Sequence, residues 1–288
     1  MEASLRWTLV TAMAPIAWGS TYFVTHEFLP AGSPLYGALL RALPAGLLLL
    51  LVRRRLPRGS MWWKSLVLGL LNMSAFFALV YVSAQMLATS IASTVMATSP
   101  VVMMVFAWLL LSARPGLRQL AGAGIGLAGV GLMLFAGVVA VDIRGVLAAI
   151  AAMVLSSFGY VLSKKWTGEV DVLSSTAWQL VAGGLALVPF AVVFEGAPPA
   201  LDGRALIAFG YVAVVATAIA FAAWFTGLKH LDAGTVGLVG LLNPVTGVLL
   251  GTLVAAESLN GQQLCGLVLV LTGILLGRRG ATRVAARR

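Results

Sequence analysis

The sequence predicts an all-α polytopic membrane protein whose ten transmembrane helices form a 5+5 inverted-topology repeat. Three observations carry that expectation. Apolar runs of about 18–24 residues recur along the chain, each long enough to cross a hydrocarbon core of ~30 Å. Lys and Arg fall almost wholly on one side of those runs. The chain also matches itself when displaced by 144 residues. Composition agrees, with mean hydropathy +1.01, 60% apolar residues and only 10% charged ones.

The expected spans, in order, each carry a marker. The first, 7–27, sets Trp18, Tyr22 and Thr25 on one face at i, i+4, i+7 spacing. It has no basic segment before it, so it reads as a span rather than a cleavable leader. The second, 34–52, holds Arg41, and the third, 62–83, holds Phe77 and Tyr81 one turn apart. In the fourth, 89–111, Ser90, Thr94 and Thr98 are successive i+4 neighbours, followed by Ser99 and Pro100. The fifth, 117–138, is a ladder of small residues that includes Gly122 and Gly126. The sixth, 143–164, offers Ser156, Tyr160 and Ser163, and the seventh, 173–194, Ser175, Trp178 and Gln179. The eighth, 205–227, carries Thr217, Phe221 and Trp224; the ninth, 233–255, carries Asn243 and Pro244. The last, 261–278, contains the lone Cys265 and the pair Gly273 and Gly277. Trp62, Trp63 and Trp166 sit at span ends and read as interfacial anchors.

Orientation follows from the cations. With a cytoplasmic N-terminus, 16 of the 19 Lys and Arg fall in inside segments, led by Arg53, Arg54, Arg55, Arg58 and Lys64 and by the tail after Leu276. The outside loops hold Arg144 and Arg204 only, and Arg41 lies within a span. That asymmetry places both termini in the cytoplasm of a bacterial inner (plasma) membrane protein. It also accounts for the formal charge of +10 without nucleic-acid binding, because the lipid bilayer is the partner that basic loops face.

The self-match is specific. At an offset of 144, Phe77–Leu87 falls on Phe221–Leu231, and without gaps Pro100 meets Pro244, Gln119 meets Gln263, Gly122 meets Gly266 and Gly129 meets Gly273. Upstream, Trp18-Gly19 meets Phe158-Gly159 at an offset of 140, and Arg41 meets Gln179 at 138. The expected units are 1–140 and 141–280, with a basic cytoplasmic tail at 281–288. Five spans per unit is an odd number, so the second unit must enter the membrane inverted. Inverted repeats are common in secondary carriers, whose substrate site lies near the midplane between the halves.

At these residues the chain resembles the drug/metabolite transporter superfamily, EamA type, over about 7–279. The resemblance rests on Trp18-Gly19-Ser20 with Tyr22 and Phe23, on Arg41, on Ser99-Pro100-Val101 paired with Asn243-Pro244-Val245, and on Glu257 closing the ninth span. It implies a ten-helix carrier that exports amino acids and other small metabolites, with both termini inside. One departure stands out. The family often has a Glu after the fourth span, where this chain has Ala113 followed by Arg114-Pro115.

The candidate site is drawn from the stripes: Trp18, Tyr22, Arg41, Phe77, Tyr81, Thr98, Ser99, Tyr160, Trp178, Gln179, Trp224 and Asn243, with Pro100 and Pro244 as hinges. An ionisable group about seven residues into a span costs about 2.5 kcal/mol or more. Arg41 is therefore either a substrate or gating contact, or a structural group paired with helix-end carbonyls or Glu27. Its guanidinium suits a carboxylate. No Asp or Glu lies mid-span, which argues against exchange of protons for lipophilic cations and for a carboxylate-bearing small-molecule substrate. The alternative reading of the Ser and Thr stripes is that each hydroxyl only bonds its own i−4 carbonyl. Pro15, Pro44, Pro100, Pro189 and Pro244 are expected to break the helical ladder inside five spans, as hinges or as fixed kinks. The GxxxG pairs pack helices within a monomer or join a homodimer. His26 and His230 read as interfacial groups or as pH sensors.

Exclusions are short. No Gly-rich phosphate loop, HExxH pair or Ser/His/Asp set is present, and the connections leave no soluble catalytic domain. The expectation is therefore no enzyme, no metal and no cofactor. The alternatives are a multidrug exporter and, in another class, a non-transporting membrane scaffold or sensor, against which the short loops argue.

Overall fold

A backbone surrounded by lipid must satisfy its hydrogen bonds internally, and the apolar runs answer with helices. The computed structural model describes residues 2–28, 32–87, 89–134, 142–168, 170–255 and 260–277, and among these it contains no strand. Helix α1 (Glu2–Phe28) precedes α2 (Pro34–Arg53). α3 (Met61–Gly69) continues through a π-helical turn, Leu70–Ala75, into α4 (Phe76–Met86). Then come α5 (Thr89–Ala97), α6 (Ser99–Leu111), α7 (Leu117–Leu134), α8 (Ile143–Thr167) and α9 (Val172–Glu195). α10 (Gly203–Ala213) continues through a second π-turn, Val214–Ile219, into α11 (Ala220–His230). α12 (Ala233–Val239), α13 (Leu242–Ala255) and α14 (Gly261–Gly277) complete the order.

Among the described residues seven stretches are long and apolar enough to cross a membrane: Pro34–Arg53, Met61–Met86, Thr94–Leu111, Ile143–Thr167, Val172–Glu195, Gly203–His230 and Ala233–Leu250. Leu117–Met133 and Gly261–Gly277 are shorter apolar helices. α1 is 27 residues long but diluted by Thr, Ser and Gly, so its apolar density is lower. The surface is as greasy as the interior: Leu51 is 69% exposed, Val193 75% and Ile207 77%, as lipid-facing side chains require.

The prolines inside the spans fall into two classes. At Pro100 and Pro244 the helical ladder breaks within the apolar stretch, at Thr98 and at Gly240–Leu241, and the proline lies in the first turn of α6 or α13. Proline tolerates the first turn of a helix, where its missing N–H would be unbonded anyway. Pro15, Pro44 and Pro189 do lie inside α1, α2 and α9.

The internal repeat reappears in the elements. The two π-turns are displaced by 144 residues at both ends, and so are α4 and α11; α7 and α14 start 144 apart. The contacts follow the same rule. A Cβ on Gly122 would stand 2.5 Å from the Gly273 carbonyl oxygen, and one on Gly129 would stand 2.6 Å from that of Gly266. Moving both members by 144 turns the pair 122–273 into 266–129, so the α7–α14 seam maps onto itself with the helices antiparallel. These GxxxG glycines pack within the chain.

α2 and α9 form a second antiparallel pair, fastened at both ends. Glu195 accepts hydrogen bonds from the amides of Leu35 (2.6 Å) and Tyr36 (2.9 Å), capping the start of α2. At the other end the Arg53 guanidinium meets Asp171, with Nη2 2.8 Å from Oδ1. The chain's four aspartates share one task. Asp142, Asp171, Asp202 and Asp232 each accept a backbone N–H in the first turn of α8, α9, α10 or α12. This satisfies donors that a helix start leaves open.

Candidate substrate-binding site

A π-turn closes wider rings than an α-helix and displaces its carbonyls from the regular ladder. The second π-turn uses that freedom. The Ala216 carbonyl accepts from the Trp18 indole Nε1 at 3.0 Å and from Arg41 Nη2 at 3.2 Å. Arg41 Nε donates to the Thr217 hydroxyl oxygen at 3.1 Å. The guanidinium also lies over the Phe77 ring, 4.2 Å from its centroid. Arg41 is thus a buried cation, 6% exposed, held by hydrogen bonds to one wall and an aromatic face on another.

The first π-turn meets α9 in the corresponding way. Asn72 Nδ2 donates to Gln179 Oε1 at 2.8 Å, and the Ser74 hydroxyl donates to the Gly183 carbonyl at 2.7 Å. Gln179 Nε2 reaches the hydroxyls of Ser175 (3.2 Å) and Ser163 (3.3 Å). Gln179 aligns with Arg41 in the repeat, so each is the polar handle by which one unit grips the other unit's π-turn. One handle is charged and the other is not.

Aromatic rings fill the space between. Trp18 lies 5.0 Å from Phe221 and 5.1 Å from Trp224, Phe77 lies 5.7 Å from Phe221, and Tyr160 lies 5.5 Å from Trp224. Side chains from α1, α4, α8 and α11 therefore converge beside the Arg41 of α2. Among the described residues the Trp224 indole N–H and the Asn243 side-chain oxygen are buried without a hydrogen-bond partner.

Of the residues singled out in the sequence, Trp18, Arg41, Phe77, Tyr160 and Trp224 meet in this cluster. Gln179 is fully buried but faces Asn72 rather than Arg41. Tyr81 is half-buried against Gly37, where an added Cβ would come within 3.1 Å of its ring. Thr98 is half-buried and donates to its own turn, at Val95 O (2.7 Å), and Ser99 begins α6. Asn243 lies in the first turn of α13. Trp178 points away, its indole donating to the Arg55 carbonyl at 2.7 Å. The side chains of Tyr22, Glu27 and Glu257 lie outside the described residues. Sequence reasoning passed over Asn72 and Ser74. A buried amide in mid-span was the available signal, and its mate at an offset of 144 is Ala216.

Comparison with known proteins places this architecture. The sequence pattern of the EamA-like transporter family matches residues 5–135 and again 143–278. Protein PecM of Dickeya dadantii (strain 3937) is 34% identical over 265 residues, covering 91% of this chain and 89% of that protein. YvbV of Bacillus subtilis (strain 168), an uncharacterized transporter, is 28% identical over 94% of this chain and 91% of its own. YedA of Escherichia coli (strain K12), an uncharacterized inner membrane transporter, is 28% identical over 91% and 87%. A solved crystal structure superposes with a TM-score of 0.79 at 22% identity, over 94% of this chain and 96% of that one, a likeness of fold.

Proposed function

The chain belongs to the EamA-like transporter family and is a membrane transporter rather than an enzyme; from that premise we propose that it is a secondary carrier exporting small carboxylate-bearing metabolites, amino acids foremost, by alternating access. The seven long apolar stretches, the two shorter ones and α1 are read as ten spans, five per unit, with the second unit inverted. The units are 1–140 and 141–280, followed by the basic tail 281–288. Both termini face the cytoplasm of a bacterial inner membrane, a reading supported by the 16-to-2 distribution of cations.

The observation that carries the mechanism is the exchange of contacts between units: 122–273 with 266–129, and Arg41 on one π-turn with Gln179 on the other. Two halves packed by the same contacts in opposite orientation have two states of similar energy, one open to each side. Pro100 and Pro244, at the matched breaks of α5–α6 and α12–α13, are the hinges. Cargo enters the aromatic cluster of Trp18, Phe77, Tyr160 and Trp224, beside Tyr81, Thr98, Ser99 and Asn243. Arg41 exchanges its hold on the second π-turn for the cargo carboxylate, which couples occupancy to movement of that turn. The absence of a mid-span acid in the sequence supports an anionic rather than a cationic cargo group.

The test is counterflow in liposomes with a panel of amino acids, nucleosides and quaternary ammonium dyes. Amino acids are expected to stimulate exchange, and Arg41→Gln is expected to abolish it. Stimulation by dyes alone would replace this reading with the multidrug exporter that the aromatic cluster favours. Wild-type exchange by both Arg41→Gln and Arg41→Lys would remove Arg41 from the site.

A further inference from the structure

Away from the aromatic cluster, one cleft gathers cations. It has a volume of about 860 Å³ and lies between the α2–α3 connection and the start of α9. Volumes of roughly 300–1,000 Å³ are ordinary for small-ligand sites. Arg54, Arg55 and Arg58 line it and all three are exposed. Arg53 is already paired with Asp171, so that carboxylate does not neutralise the other three.

The connection is held rather than loose. Arg54 closes α2 in the left-handed conformation, φ 51°, with its amide on the Leu50 carbonyl at 2.7 Å. The Arg55 carbonyl receives the Trp178 indole at 2.7 Å, and Pro57 is buried. Three guanidinium groups are thus presented from a fixed backbone. Their planar forks suit phosphate oxygens.

The rim chooses between a free phosphate and a lipid. Leu56 and Trp62, also lining the cleft, are 62% and 59% exposed, an apolar edge beside the cations that a dissolved anion does not need. The cleft also lies where two membrane-capable stretches, Pro34–Arg53 and Met61–Met86, meet. That is the depth at which hydrocarbon gives way to headgroups. We propose that this cleft binds the phosphate of an anionic phospholipid, with Arg54, Arg55 and Arg58 on the headgroup and Leu56 and Trp62 against its glycerol and acyl part. Trp178, which hangs from the same connection, precedes Gln179 in α9, so an occupied cleft also steadies the grip on the first π-turn.

The test reads binding, not transport, and is independent of the cargo. Detergent-solubilised protein is mixed with phosphatidylglycerol or phosphatidylcholine, and retained lipid is counted by native mass spectrometry alongside the melting temperature. The wild type is expected to retain and be stabilised by phosphatidylglycerol over phosphatidylcholine. A juxtamembrane cation contributes about fivefold in affinity, so Arg58→Gln is expected to lose about that and the triple Arg54→Gln/Arg55→Gln/Arg58→Gln variant far more. A control removing the same charge elsewhere, Arg118→Gln/Arg144→Gln/Arg204→Gln, is expected to retain lipid. Equal retention of both lipids, equal loss in the control, or the same stabilisation by inorganic phosphate would each overturn the proposal. Should the triple variant fail to fold, unchanged retention by Arg58→Gln overturns it as well.

Discussion

Asp171 both caps α9 and faces Arg53, and it titrates outside the apolar stretches. Partial burial disfavours its charge. The hydrogen bonds from the Ser174 amide and hydroxyl and from Arg53, with the charge of that guanidinium, outweigh the burial and hold its pKa below the ordinary carboxylate value. A depressed folded-state pKa gives stability that is complete above the unfolded value of about 4 and is lost as pH falls through the folded value. Asp171→Asn keeps a capping side chain and loses the ion pair. The variant is expected to be less stable by about 1 kcal/mol or less at pH 7, and the difference should close in acid as the wild-type carboxyl takes a proton. Melting curves from pH 7 to pH 3 check this; a gap that stays constant contradicts it. Gln179 tests a different quantity, mutual satisfaction in a dry interior. Gln179→Leu strands the Asn72 amide and two serine hydroxyls, at a cost of about 1–3 kcal/mol. Asn72→Leu/Gln179→Leu removes both members of the closest pair, so its cost is expected to fall below the sum of the single variants. Strict additivity in thermal unfolding would separate the two residues.

At the scale of elements, the α7–α14 seam allows a sharp comparison within a single pair of helices. A Cβ on Gly273 would meet the Gly122 carbonyl at 2.5 Å, and backbone cannot rotate away. A Cβ on Gly124 or Gly131 would meet nothing within 4 Å. Gly273→Ala is expected to lower the melting temperature markedly. Gly124→Ala and Gly131→Ala are expected to be neutral or to stabilise by up to about 1 kcal/mol, because Ala is the better helix former. Equal effects at all three positions would mean that close approach does not set the seam. The glycine repeat and the spans were legible in the sequence because lipid imposes both: long apolar runs for the rods, and small residues where rods touch. The π-turns were not. Leu-Leu-Asn-Met-Ser-Ala and Val-Val-Ala-Thr-Ala-Ile agree at no aligned position, and one extra residue in a helical turn leaves no mark in hydropathy. The partners of Arg41 were hidden for the same reason. Its placement in mid-span was readable, but Thr217 and the Ala216 carbonyl face it only because the second π-turn redirects them. Glu195 was visible as a carboxylate at a span end, while the helix it caps, α2, lies about 160 residues away.

For the whole molecule, the two units are alike in packing and unlike in fastening. All four aspartate caps belong to helices of the second unit, α8 to α12, whereas Ser33 and Ser60 at the starts of α2 and α3 make no side-chain cap bond. α2 is capped instead by Glu195 from α9, a contact across the unit boundary. A start capped by its own aspartate keeps its cap when the halves move; one capped from across the boundary loses it unless α2 and α9 travel together. α2 and α9 are therefore expected to move as one body, with the change of state taken up at the α5–α6 and α12–α13 breaks. The proposed inversion makes a concrete demand on topology. Arg58, after α2, and Lys229, near the end of α11, belong to different units yet must face the same side, while Arg144 and Arg204 must face the other. With the lone Cys265 replaced by Ser, single cysteines at these four positions can be labelled in intact cells with an impermeant thiol reagent. Positions 144 and 204 are expected to react from outside, and positions 58 and 229 only after the membrane is opened. Positions 58 and 204 stand at the matched junctions before the two π-turns, so labelling of both from the same face would leave corresponding segments of the two units in the same orientation, and exchange of their conformations could not then turn one open state into the other.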